Sequence, residues 1–67
     1  MASNLEYYKI FYYVAKYSSF TRAAGILMSS QPSVSRTIKL LEQDLGCTLF
    51  TRTQKGVTLT PEGLDLY

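Results

Sequence analysis

Apolar positions recur at helical spacing along three stretches of the chain, give way to two short β-prone runs, and end on a fourth helical start. From Leu5 to Tyr17 the positions Leu5, Tyr8, Phe11, Tyr12 and Ala15 share one face, with Glu6, Lys9 and Lys16 off it. That spacing predicts a first helix over 5–17. Ile10, Tyr13 and Tyr17 then lie away from the stripe, beside Glu6, and predict an exposed aromatic patch. Ser18 and Ser19 interrupt the pattern. Ser19 is suited to cap a second helix over about 20–28, which turns Ala23, Ala24 and Leu27 inward. Small alanines there let another helix approach closely. Gly25 lies inside that helix, where glycine costs roughly 1 kcal/mol relative to alanine, and nothing local explains it.

The stretch SSQPSVSRTIKLLE carries the clearest signals. Ser30 is placed to cap a third helix, and Pro32 sits in its first turn, where a missing N–H costs nothing. At about 100° per residue, Val34, Ile38, Leu41 and Leu45 form one buried stripe. Gly46 then stands where a helix-terminating glycine belongs. The opposite face is centred on Pro32, Arg36, Lys39 and Gln43, with Gln31, Ser33 and Ser35 crowding its N-terminal end. Beyond Gly46, 49–52 and 57–60 read as strands joined by Thr53-Gln54-Lys55-Gly56, a hairpin with a basic tip. Thr60 caps a last helix opened by Pro61, with Glu62 in its first turn, which runs only to Tyr67. The sequence looks cut there, because so short a helix is marginal unless it packs on something.

Composition narrows the field of functions. With 67 residues the chain holds one small domain, and 46% hydrophobic against 18% charged residues argues for a folded piece. No apolar run reaches membrane-spanning length, because Lys9 and Lys16 break the most apolar stretch. No export signal is visible at the N-terminus. Cys47 is the single cysteine, so it has no internal disulfide partner, and it reads as a small buried hydrophobe. Histidine is absent, which removes the commonest general base and any ordinary zinc site. No nucleophile–base pair stands at a recognisable spacing, so the chain is not expected to be an enzyme and needs no cofactor.

The candidate chemistry is therefore recognition. Short hydroxyls, an amide and an arginine at the start of an exposed helix suit hydrogen bonds to base edges and phosphates. Bulkier side chains would hold that helix out of a groove. Thr21 and Arg22 stand in the first turn of the second helix, which in a helix-turn-helix crosses the backbone, and Lys39 is placed for phosphate. From Phe20 to Thr58, Arg22, Arg36, Lys39, Arg52 and Lys55 oppose Glu42 and Asp44, a net +3. That charge orients a domain on DNA but is small for tight non-specific binding by one copy, so two copies on a two-fold site are expected. Glu42 and Arg52 are read instead as a structural ion pair tying hairpin to third helix. The competing reading is a winged-helix module for protein contact through the tyrosine-rich first helix.

Together these elements predict a mainly α, winged helix-turn-helix fold: three core helices, a two-stranded wing and the start of a fourth helix. The chain then resembles the amino-terminal domain of LysR-type transcriptional regulators. The likeness is carried by Phe20 to Ala24, Leu27, Ser30 to Arg36, Ile38, Leu41, Glu42, Leu45, Gly46, Leu49, Phe50, Arg52, Leu59, Thr60 and Gly63. It implies a DNA-binding domain over 3–60, with the helix-turn-helix at about 20–39 and the wing at about 49–60. Residues 61–67 would begin a linker and dimerisation helix. A domain that binds a small-molecule effector would lie outside this chain, in a cytoplasmic bacterial protein that works as a homodimer or tetramer. Carried over by position, Gln31, Pro32, Ser33, Ser35 and Arg36 enter the major groove and Lys55 reaches the minor groove. Leu40 departs from the family pattern, which usually has a polar or small residue there; it either packs under the wing or shapes the contact surface.

Overall fold

The second, third and fourth helices each begin where a side chain satisfies one of the N–H groups that a first turn leaves free. The computed structural model describes the chain from Ala2 to Tyr67, with side chains from Leu5 onward. Its order is α1 (Ala2–Tyr17), α2 (Phe20–Ile26), α3 (Gln31–Leu45), β1 (Phe50–Thr53), β2 (Gly56–Leu59) and α4 (Pro61–Leu66). The Ser19 hydroxyl accepts from the Arg22 N–H at 3.1 Å, Ser30 from Ser33 at 3.3 Å, and Thr60 from Gly63 at 3.0 Å. Gly46 adopts the left-handed conformation, φ 72, and closes α3 through its N–H to the Glu42 carbonyl at 2.8 Å. All three capping assignments made from the sequence hold.

The second helix ends two residues earlier than its periodicity suggests. Met28 enters the left-handed region at φ 55, and Ser29 donates to the Ala24 carbonyl at 2.8 Å. That pattern closes the helix as a terminal glycine normally would. Ser18 does the same between α1 and α2 at φ 54. A Cβ at Gly25 would meet nothing within 4 Å, so nothing in the structure explains glycine there.

The core forms where α1, α2 and α3 meet beneath the hairpin. Val14, Ala23, Val34, Ile38, Leu41 and Leu49 are essentially solvent-free. Phe50 on β1 packs against Phe11 of α1 at 5.4 Å between ring centroids and against Phe20 of α2 at 5.9 Å, joining wing to bundle. Gly63 sits so close to the Leu49 carbonyl that a Cβ would lie 2.2 Å from its oxygen, so only glycine lets α4 settle there.

Two stripes differ from their sequence-based reading. In α1 the buried side chains are Phe11 and Val14, flanked by partly buried Tyr7, Ile10, Tyr13 and Ala15. Leu5, Tyr8 and Tyr12, expected inside, are 78%, 38% and 45% exposed. The helix is turned by roughly one residue, about 100°, from the expected phase. Its apolar side chains encircle the helix, so periodicity admitted both settings. In α3, Leu45 is 41% exposed although it continues the stripe, because the last turn runs past the much shorter α2.

The wing pairs antiparallel with Phe50 opposite Leu59 and Thr53 opposite Gly56, which leaves Gln54 and Lys55 as a two-residue turn. Both strands sit within one residue of their expected positions. Pairing extends one bond further, from the Thr60 N–H to the Leu49 carbonyl at 3.0 Å. The Thr60 hydroxyl also donates to the Thr48 carbonyl at 2.6 Å, so one side chain both caps α4 and ties it to the start of the wing.

Candidate nucleic-acid interface

Once Val34, Ile38 and Leu41 are buried, helical geometry decides what α3 presents elsewhere. Pro32, Ser33, Arg36, Lys39 and Gln43 are exposed, and Gln31 and Ser35 are half-buried. The Thr37 hydroxyl donates to the Ser33 carbonyl at 3.0 Å, so it is spent within the helix. The predicted groove-facing set divides into two groups. Pro32, Ser33 and Arg36 are exposed on the outer ridge of α3 and border neither of the two depressions that α3 shares with the wing. Ser35 and Lys39 border a cleft between α3 and the wing, together with Phe20, Glu42, Phe50 and Arg52.

Next to that cleft the structure brings Gln31 of α3, Thr21 of α2 and Lys55 of the wing tip into one shallow depression, again with Arg52 on its wall. Thr21 and Lys55 are far apart in sequence and meet because the turn between α1 and α2 holds the wing. The Val57 N–H donates to the Ser18 carbonyl at 3.1 Å. A Cβ at Gly56 would lie 2.3 Å from that carbonyl oxygen, and Gly56 has φ 144, so glycine is required on both counts. Arg22 does not join this group. Its guanidinium lies over the Tyr17 ring at 5.9 Å from the centroid.

The expected ion pair between Glu42 and Arg52 is not formed, although both residues border the same cleft. Glu42 Oε2 accepts from the Leu49 N–H at 2.7 Å and from the Phe50 N–H at 3.4 Å. Those N–H groups at the start of β1 are fixed in reach of the carboxylate, and a charged acceptor satisfies them well. Glu42 thus ties the far end of α3 to the wing through backbone. Arg52 is freed: its guanidinium lies 4.9 Å from the Phe20 ring centroid, over the ring, and the residue is exposed. Arg52 is the functional candidate that sequence reasoning assigned to structure. The alternation along β1, which sets Arg52 on the same side as Phe50, was the signal that it faces α3.

Leu40 is 39% exposed and borders neither the cleft nor the depression beside the wing. On α3 it projects from the flank opposite the wing, so it does not pack under it. Cys47 is half-buried against the core. Among the described residues no group of three or more His, Cys, Asp or Glu side chains is arranged to hold a metal ion, and no helix is long and apolar enough to cross a membrane.

The geometry is that of a helix-turn-helix with a recognition helix and a wing on one side, and it has close counterparts. The family described as bacterial regulatory helix-turn-helix protein, lysR family, matches residues 5–64, so the chain belongs to the LysR family. It is 40% identical to the RuBisCO operon transcriptional regulator of Allochromatium vinosum, over 100% of this chain and 22% of that protein. It is 46% identical to the HTH-type transcriptional regulator BudR of Klebsiella aerogenes, over 94% of this chain and 44% of BudR. Among solved structures, the BenM DNA-binding domain in complex with catB site 1 DNA superposes with a TM-score of 0.90 at 41% identity, covering 94% of this chain and 70% of that one. The CbnR DNA-binding domain–DNA complex gives 0.86 at 37% identity, covering 90% of this chain and 69% of that one. The chain therefore spans less than half the length of either curated relative.

Proposed function

We propose that this domain binds double-stranded DNA in a sequence-dependent way as the reading head of a transcriptional regulator. The carrying observation is the outer ridge of α3: a proline, a short hydroxyl and an arginine, all exposed, on a helix whose opposite face is buried in the core. Such a ridge fits a major groove about 12 Å wide, and Arg36 has the reach and the fork to address a guanine edge. Ser33 and Ser35 are short enough to let the helix close on the bases. Gln31 bridges towards the wing, where Lys55 enters the adjacent minor groove and gains from its negative potential. Thr21, Arg22, Lys39 and Arg52 meet the phosphates on either side. That the DNA-binding domains of BenM and CbnR superpose closely and are seen on DNA supports this reading.

Within a longer protein of the relatives' kind, the same surface works in pairs. Two copies on two-fold half-sites multiply the contacts that a net charge of +3 over 20–58 leaves modest. A homodimer or tetramer in the cytoplasm, with a small-molecule effector bound outside this domain and no catalytic step within it, completes the proposal. Selection of bound sequences from a random duplex pool tests it. Enrichment of one motif by the chain, lost when Arg36→Ala replaces it, is the expected outcome. Retention of duplexes with no sequence enriched would reduce the function to non-specific backbone binding.

A further inference from the structure

At the junction of α1 and α2 two cations converge on one aromatic ring. The Lys16 ammonium lies 5.7 Å and the Arg22 guanidinium 5.9 Å from the Tyr17 ring centroid. Tyr13 lies parallel to Tyr17, 7° between planes and 6.4 Å between centroids. Tyr17 is half-buried, whereas Lys16 and Arg22 are both exposed. The ring is thus held by the protein while both charges face water.

Neither charge has an acidic neighbour along the chain, because no Asp or Glu occurs between Glu6 and Glu42. The Glu42 carboxylate is taken by the Leu49 and Phe50 N–H groups. Both charges are exposed, so an anion can reach each of them from solvent. The position of the pair names the anion. The neighbouring turn is hydrogen-bonded to the wing through Ser18 and Val57, and Thr21, adjacent to Arg22, borders the depression shared by Gln31 and Lys55. Arg22 therefore flanks the groove-facing surface, and Lys16, which also lies 5.8 Å from the Tyr12 ring centroid, shares the Tyr17 ring with it.

We infer that Lys16 and Arg22 form an accessory contact patch for the DNA backbone beside the half-site, with Tyr17 as the residue that positions them. The inference rests on the DNA-binding reading above and adds α1 to the footprint. A guanidinium drawn to the face of a half-buried ring, here 5.9 Å from its centroid, loses less freedom when it meets a phosphate. Lys16 supplies a point charge and Arg22 a planar fork, a combination suited to successive phosphodiesters.

The test is the salt dependence of binding to a random-sequence DNA duplex, since phosphate contacts carry no sequence information. Lys16→Ala and Arg22→Ala should each reduce the magnitude of the slope of log K against log salt by about one. Tyr17→Leu should weaken low-salt binding about two- to fivefold, and Tyr17→Phe, which keeps the ring face, should rescue that loss. In an Arg22→Ala background the Tyr17→Leu effect should shrink to the share that acts through Lys16. Unchanged slopes in both cation variants overturn the patch, and because those two side chains are on the surface the result does not depend on how Tyr17→Leu folds. An undiminished Tyr17→Leu effect without Arg22 overturns the positioning role. If the parent chain fails to bind the duplex at low salt, the DNA-binding reading itself falls; if it binds with both slopes unmoved, the patch falls together with the phosphate role given to Arg22, and the roles of Arg36 and Lys55 stand.

Discussion

Helix α3 commits Val34, Ile38 and Leu41 to the core and keeps Pro32, Arg36, Lys39 and Gln43 on the far side, so its two faces differ in chemistry all along its length. Helix α1, one residue longer, buries Phe11 and Val14 yet leaves Leu5, Tyr8 and Tyr12 in solvent. A helix with one polar face has a single setting that buries its apolar residues. One ringed by tyrosines has several, because a tyrosine satisfies either environment, with its ring buried or its hydroxyl wet. The difference teaches that apolar content alone does not orient a helix; contrast between faces does. It also relocates the aromatic patch. Ile10 and Tyr13 lean on the core, Tyr17 is half-buried beside Tyr13, and the exposed surface is built from Leu5, Tyr8 and Tyr12, with Tyr67 stacked on Tyr12 at 5.7 Å between centroids.

The most forceful way to break this contrast is through α1. Phe11→Ala should destabilise the domain by about 3–5 kcal/mol, whereas Leu5→Ala should change stability by less than about 0.5 kcal/mol. Chemical denaturation of both variants decides which stripe of α1 is inside; comparable losses would restore the phase that periodicity suggested.

The outer ridge of α3 is tested next. Arg36→Ala should lose roughly 1–3 kcal/mol of binding to the selected DNA sequence, with the unfolding midpoint unmoved. A titration showing equal affinity for selected and scrambled duplexes in both parent and variant would remove the base-reading role. A smaller effect is expected at the start of the same helix, where Ser30→Ala should cost about 1 kcal/mol of stability. Thermal unfolding with no change would mean that the 3.3 Å bond to Ser33 contributes nothing.

Lys55→Ala should have the mildest consequence: a uniform weakening across sequences and a salt slope smaller in magnitude by about one. If instead discrimination at one base pair collapsed while the slope held, the wing would be reading sequence directly, and the division of labour between ridge and wing would need redrawing.

Much of this protein was legible without coordinates because the relevant interactions are local. A capping hydroxyl bonds an N–H three residues on, so Ser19, Ser30 and Thr60 announce their helices by themselves. The face of α3 follows from periodicity alone, and with it the exposed Pro32, Ser33 and Arg36. Tertiary structure decided what depends on distant neighbours. The phase of α1 was settled by the fit of Phe11 and Val14 against α2, α3 and the wing, since its own residues permitted two settings. The partner of Glu42 was settled by where the backbone of β1 begins, since fixed N–H groups were nearer to its carboxylate than a long flexible arginine. That choice released Arg52 to lie over Phe20, in reach of the groove-facing surface. Strand alternation sets the side of β1 that Arg52 takes, but its place over Phe20 exists only once helix, wing and turn are packed together.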